Sequence, residues 1–253
     1  MRTLDPTRPG RLRGTTVFLS ASVPNRPGFE RVANAPFVIE QAVVSLARAV
    51  FAENGKIVFG AHPSISPLVA SVAAEYHLPG APEQDRSVII YQSHAFDAVL
   101  PTETWDMYRF GFANLVWTDA QNGERYVKDT PASRNCPQSL RHMRIRMIAE
   151  TRPRIMVIVG GMEGVVEEIR LFREFWEKPN LPPPAIFVAK LTGGVARSVA
   201  AERGARFFHI LEEEWPGASL PLESSAGKDP RSEPIPPYRA MMQWLVTAAP
   251  VTE

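Results

Sequence analysis

The chain has one cysteine in 253 residues, Cys136, so it can close no internal disulfide and offers no cysteine cluster to a metal. Cys136 lies in Arg134-Asn135-Cys136-Pro137, a loop with no histidine beside it. It reads as an incidental thiol in a reducing cytosol rather than a nucleophile. Surplus charge is missing too: 28 Lys and Arg against 27 Asp and Glu leave a net charge of +1. That is too little to offset a phosphate backbone, so nucleic acid is not an expected partner. No run approaches the roughly 20 consecutive apolar residues a membrane span requires, so no membrane partner is expected. Met1 to Gly14 carry four arginines and two prolines but no apolar run of signal-peptide length. Residues 1–14 are therefore expected to be a flexible leader, and the protein to stay in the cytoplasm. Two phosphate-binding signatures are absent as well. No Lys-Ser or Lys-Thr follows the chain's glycine turns, and their spacing is not that of the dinucleotide fingerprint.

What is present is enough apolar material, 45% of the residues, for one large α/β domain. Its most informative stretch runs from Arg154 to Glu168. Ile155-Met156-Val157-Ile158-Val159 is a short, nearly all-apolar run that suits a strand buried on both faces. After Gly160, Gly161, Met162, Glu163 and Gly164 the period changes, because Val165, Ile169, Phe172 and Trp176 recur at three- and four-residue spacing. A strand turning directly into a helix brings backbone N–H groups and the positive helix end together, where an anionic group can be cradled. The competing reading is a tight turn that only reverses the chain.

The same design repeats along the chain. Strands are expected at Thr15–Ser20, Lys56–Gly60, Ser87–Tyr91 and Ala185–Ala189, and a further one at Asn114–Trp117. Helices are expected at Phe37–Asn54, closed by Asn54-Gly55, at Leu68–Tyr76, and from the second glycine turn through Glu202. Together these give an open parallel sheet with helices on both faces. Ligands sit at the carboxyl ends of strands in such sheets, which makes Ser20, Ser22, Gly60 and His62 candidates. The alternatives are ordinary turn serines, helix caps at Ser64 or Ser66, and a surface histidine. Thr192, Gly193 and Gly194 form a second Gly-Gly turn at a strand end. In Ser139–Met147, Arg141 and Arg144 lie one helical turn apart and can clamp a diphosphate or carboxylate, or merely form a solvated face. Trp105, Tyr108, Phe110, Phe112 and Trp117 can stack on a base or pack a core. Residues 15–212 form the domain, and 213–253 comprise a Pro/Ser-rich segment and a helix, Tyr238–Ala248, packing back through Met241, Met242 and Leu245.

Gly160-Gly161-Met162-Glu163-Gly164-Val165-Val166-Glu167-Glu168 resembles the Pro-Gly-Gly-x-Gly-Thr-x-x-Glu element of LOG-type phosphoribohydrolases, with Val159 for Pro, one extra residue between glycines and Val165 for Thr. The helix Leu140–Met147 is similar to the upstream Met-x-x-Arg helix, with Arg144 the preferred match and Arg146 the competing one. Phe18-Leu19-Ser20-Ala21-Ser22, Phe59-Gly60-Ala61-His62-Pro63 and Thr192-Gly193-Gly194 look more like prokaryotic TRPM-related proteins of the same superfamily. On these residues the chain resembles the SLOG (LOG/SMF-DprA/TRPM-like) superfamily over most of Thr15 to Gly204. The resemblance implies a Rossmann-like fold and a pocket for a nucleotide-derived ligand such as ADP-ribose, cyclic ADP-ribose or NAD, in a sensor or effector module of a bacterial stress or anti-phage system. No further cofactor is required. It also admits a homo-oligomer, which nothing in the residues shows. In the binding reading the glycine turns hold phosphates, the arginines neutralise them, and Glu163 or Glu168 contacts ribose. In the alternative, a hydrolase, Arg144 binds phosphate and Glu168 assists N-glycosidic cleavage. The departures within the glycine element favour binding.

Overall fold

A computed structural model describes residues 10–24, 35–76, 82–127, 135–177, 183–202, 208–218 and 236–249. Residues 1–9 of the expected leader, residues 25–34 and most of the Pro/Ser-rich segment (219–235) lie outside the described residues. Among the described residues seven strands form a single all-parallel sheet: β1 (Thr16–Ser22), β2 (Lys56–Gly60), β3 (Val88–Ser93), β4 (Ala113–Thr118), β5 (Ile155–Gly160), β6 (Ala185–Ala189) and β7 (Phe208–Ile210). Their spatial order is β4-β3-β2-β1-β5-β6-β7. The direction of winding reverses between β1 and β5, the place where an open α/β sheet leaves a crevice. The expected fold class, an open parallel sheet with helices on both faces, is the one observed.

Every residue of β5 is buried, as its unbroken apolar run requires. Alternation nonetheless sorts its side chains. Ile155, Val157 and Val159 face one core, whereas Met156 and Ile158 face the other, the period-two pleat expressed in a strand with no solvent face. Against the first core pack α1 (Ala35–Ala52), α2 (Ser66–Tyr76) and the C-terminal helix (Tyr238–Ala248). Against the second pack α4 (Pro137–Thr151), α5 (Glu163–Trp176) and α6 (Gly194–Ala201), while α3 (Thr102–Arg109) lies between β3 and β4 in sequence. In α5, Val165, Ile169, Phe172 and Trp176 are all buried, so the spacing read from sequence is the buried stripe. Helix α1 is apolar and long enough to cross a membrane. Its apolarity has a local explanation, because the sheet, α2 and the C-terminal helix all cover it and ten of its 18 residues are buried.

Element ends differ by one or two residues from the sequence expectation, and three further differences have a clear physical cause. Leu12 is fully buried, its N–H donates to the Glu53 carbonyl at 2.9 Å, and Arg11 N–H donates to the Glu53 carboxylate, so Gly10 to Gly14 are packed against the end of α1 rather than forming part of a leader. Strand β7 was not expected. Three residues are too few to show a period, and the strand exists because β6 offers it an edge to pair with. At the end of α1 the left-handed residue is Asn54, at φ 55°, while the Gly55 N–H closes the turn onto the Val50 carbonyl at 2.9 Å.

Candidate functional site

Because all seven strands are parallel, their carboxyl ends share one rim, and a cleft of about 760 Å³ opens there. It is floored by the ends of β1, β2 and β3, at Ser22, Gly60 and Gln92. It is walled by the first turn of α5 and by Leu140, Met143 and Arg144 of α4. A volume of this size suits a nucleotide-sized guest, and the lining is mainly apolar with a few placed polar groups.

A connected set of side chains lies beneath the α4–α5 wall. Ser20 is fully buried, and its hydroxyl donates to Glu168 Oε2 at 2.5 Å. The other carboxylate oxygen of Glu168 accepts from Arg144 Nε at 3.2 Å. Arg144 Nη1 donates to Glu167 Oε2 at 2.5 Å, and Arg141 reaches the other oxygen of Glu167 at 3.4 Å. Arg144 is 8% exposed and is thereby held by two carboxylates from successive residues of α5. A guanidinium so buried is affordable only with such pairing. The first turn of α5 gives it room: a Cβ on Gly164 would lie 2.8 Å from Arg144 Nη2. Arg146, the competing match, points elsewhere. It pairs with Glu150 at 2.7 Å and donates to the Trp117 carbonyl.

The glycine turns are placed differently from the simple cradle. Gly160 takes φ 62°, a conformation that disfavours a side chain, and its N–H donates to the Thr192 hydroxyl at 2.6 Å. The Gly161 N–H donates to the Ser22 carbonyl at 2.8 Å, and the Gly161 carbonyl accepts from Val195 N–H at 3.1 Å. A Cβ on Gly194 would lie 2.4 Å from that same carbonyl. Gly193 and Gly194 are buried here, and neither lines the cleft. The two Gly-Gly turns therefore pack on each other, and the amides of Gly160 and Gly161 are spent inside the protein. Among the described residues the amides of Met162 and Gly164 have no acceptor, and these stand at the N-terminus of α5 where the helix field favours an anion.

Of the residues singled out from sequence, Ser22, Gly60, His62, Arg144, Met162, Glu163, Gly164 and Glu168 line the cleft. Ser20 sits behind Glu168, Thr192 is buried beneath the glycine turn, and Arg141, 39% exposed, braces Glu167 from outside the cleft. His62 Nδ1 accepts from the Ser64 N–H at 3.3 Å and contacts the Ser64 hydroxyl at 2.9 Å, which leaves the neutral ring's proton on Nε2. The Ser66 hydroxyl accepts from Thr104 at 3.0 Å. Cys136 is buried at the start of α4, where desolvation raises its thiol pKa and suppresses the reactive thiolate. No three His, Cys, Asp or Glu side chains converge as metal ligands among the described residues.

Residues 29–214 match the model of the SLOG cluster3 family, nearly three quarters of the chain. The chain belongs to the SLOG cluster3 family. Membership makes it a SLOG module and implies, in general terms, a nucleotide-derived ligand. Among solved structures the SLOG chain is similar to the X-ray structure of TM1055, a structural genomics target. Identity is 12% and the TM-score 0.44, over 78% of this chain and 90% of that one. No curated protein matches it.

One side of the SLOG cleft is lined by residues that the sequence does not mark as candidates. Gln92, Phe96, Val99 and Tyr126 line its β3 end. The aromatics weighed from sequence instead lie elsewhere: Trp117 stacks on His94 at 4.8 Å along edge strand β4, Trp105 packs beside it, and Tyr108 and Phe110 are exposed. The available signal was position, since Gln92 stands at a strand's carboxyl end as Ser22 and Gly60 do.

Proposed function

We propose that this protein is a binding module for a nucleotide-derived ligand of the ADP-ribose, cyclic ADP-ribose or NAD class, acting as a sensor or effector. The observation that carries the reading is the Ser20–Glu168–Arg144 constellation beside the open amides of Met162 and Gly164. The amides and the helix end supply the anion site, and His62 stands across the cleft from them. Glu168 is fixed from two sides, so it presents a static acceptor to ribose hydroxyls. Its two oxygens already accept from Ser20 and Arg144, which suits a positioning carboxylate better than one that must shuttle a proton. From β5 to β3 the cleft crosses three inter-strand spacings, about 14 Å, a span that fits a diphosphate-bridged ligand better than a monophosphate.

The alternative is N-glycosidic hydrolysis, in which the same carboxylate stabilises oxocarbenium character and Arg144 holds phosphate. It is favoured by the pairing of a buried arginine with a glutamate at one wall. One experiment separates the two. The purified protein is incubated with nucleoside monophosphates, NAD and ADP-ribose, released base is sought by chromatography, and melting is followed in parallel. Thermal stabilisation without product supports the module. Released base that disappears in Glu168→Gln selects the hydrolase, and neither response with any of these ligands refutes both.

A further inference from the structure

The cleft has two chemically different ends. Among the described residues its three carboxylate or guanidinium side chains, Arg144, Glu163 and Glu168, all come from α4 and α5, and none lines the β3 end. There the lining is Gln92 with Phe96, Val99 and Tyr126. The Phe96 and Tyr126 rings lie 5.3 Å apart at 31°. Phe96 is buried, Tyr126 half-buried, and the Tyr126 N–H is pinned to the Ala95 carbonyl at 2.8 Å, so the pair is fixed to the turn that follows β3.

Gln92 is 7% exposed, and its Oε1 accepts from the Ser93 N–H at 2.8 Å. Only an oxygen can accept there, so the orientation of the amide is fixed: the NH2 group is turned away from the Ser93 N–H. No described residue accepts from Nε2, yet this nitrogen is not sealed from solvent. A glutamine more than nine-tenths buried thus keeps a donor unspent on the cleft side. Solvent can satisfy such a donor, and an acceptor on a ligand can take the place of that water.

From this geometry we infer that the β3 end is a nucleobase subsite, in which a planar heteroaromatic ring lies against the Phe96–Tyr126 pair and accepts a hydrogen bond from the Gln92 amide through a ring nitrogen or carbonyl oxygen. The inference rests on the cleft being the ligand site proposed above. It adds which end of the ligand goes where: anion toward α5, base toward β3. It also makes Gln92 a specificity-determining residue that demands an acceptor edge, while the aromatic rings tolerate any flat base.

The test is calorimetric titration of the full chain with ADP-ribose, AMP and ribose 5-phosphate, the last two differing by adenine alone. In the wild-type protein AMP binds about tenfold or more tightly than ribose 5-phosphate, as base stacking requires. Gln92→Leu lowers AMP and ADP-ribose affinity about five- to tenfold, the loss of one hydrogen bond. Tyr126→Leu does the same, and ribose 5-phosphate affinity is unchanged in both. Gln92→Glu keeps an acceptor for the Ser93 N–H and replaces only the cleft-side donor, so it remains informative if Gln92→Leu misfolds. Equal binding of AMP and ribose 5-phosphate to wild type overturns the subsite while leaving the ligand reading intact. So does an equal loss of all three ligands in the variants. If none of the three binds wild type, the ligand reading fails and the subsite with it.

Discussion

The Ser20 hydroxyl, at the heart of β1, donates to Glu168 Oε2 on α5 at 2.5 Å, across 148 residues of sequence. This contact ties the innermost strand to the helix that walls the cleft, and it fixes the carboxylate that also holds Arg144. Ser20→Ala removes a donor to an ionised group, which costs about 2 kcal/mol. The expected result is a melting temperature lower by about 4–8 °C. Thermal unfolding checks it, and a change under about 1 °C would remove Ser20 from the network.

Arg144 is the more consequential member because two carboxylates depend on it. Arg144→Met leaves Glu167 and Glu168 facing one another without their shared cation, and about 3–5 kcal/mol of stability should be lost. The exposed Arg141 and Arg170 offer Glu167 partial compensation, at 3.4 and 3.7 Å. Urea denaturation of Arg144→Met beside Arg141→Met measures the asymmetry. Equal effects would mean that burial is not what matters.

Two glycines that look equivalent in sequence should behave differently. A Cβ on Gly194 would meet backbone, the Gly161 carbonyl at 2.4 Å, at φ 55°. Gly194→Ala should therefore destabilise by about 3 kcal/mol or more, since backbone cannot step aside. On Gly164 the Cβ would meet only the tip of Arg144, and alanine favours the helix. Gly164→Ala should stay within about 1 kcal/mol of wild type in stability and should act on ligand affinity by displacing the guanidinium. Denaturation and ligand titration of the pair test the contrast.

A half-buried carboxylate behind the second glycine turn predicts a pH dependence. Glu212 accepts from the N–H groups of Lys190 and Leu191 at 3.0 and 2.9 Å and from the Tyr238 hydroxyl at 3.2 Å. Desolvation is the largest influence on it and raises its pKa above 4.5 despite those bonds, and desolvation likewise raises that of the Tyr238 phenol. A carboxyl whose folded pKa is raised binds its proton more tightly when folded. Its contribution to stability is therefore complete below the unfolded pKa and is lost as pH rises through the folded one. Wild type should lose stability relative to Glu212→Gln as pH is raised from about 4.5, the carboxyl's ordinary value, toward neutrality. Urea midpoints across that range check the sign, and parallel curves would refute it.

The sequence alone determined the layer order of the domain, because strand and helix announce themselves through period. The unbroken Ile155–Val159 run and the Val165, Ile169, Phe172, Trp176 stripe need no partner to be recognised. All strand ends then share a rim, so Ser22, Gly60, His62 and the start of α5 were legible as its lining. Tertiary structure decided which polar groups remain available there. Whether an amide is open or spent depends on a residue remote in the chain: Thr192 occupies the Gly160 N–H and the Ser22 carbonyl occupies that of Gly161, leaving Met162 and Gly164. That Arg144 rather than Arg146 lines the cleft, and Phe96 and Tyr126 rather than Trp105 and Trp117, was decided in the same way. Local period fixes the direction in which a side chain leaves its own element. What it meets there is set by the packing of all the others.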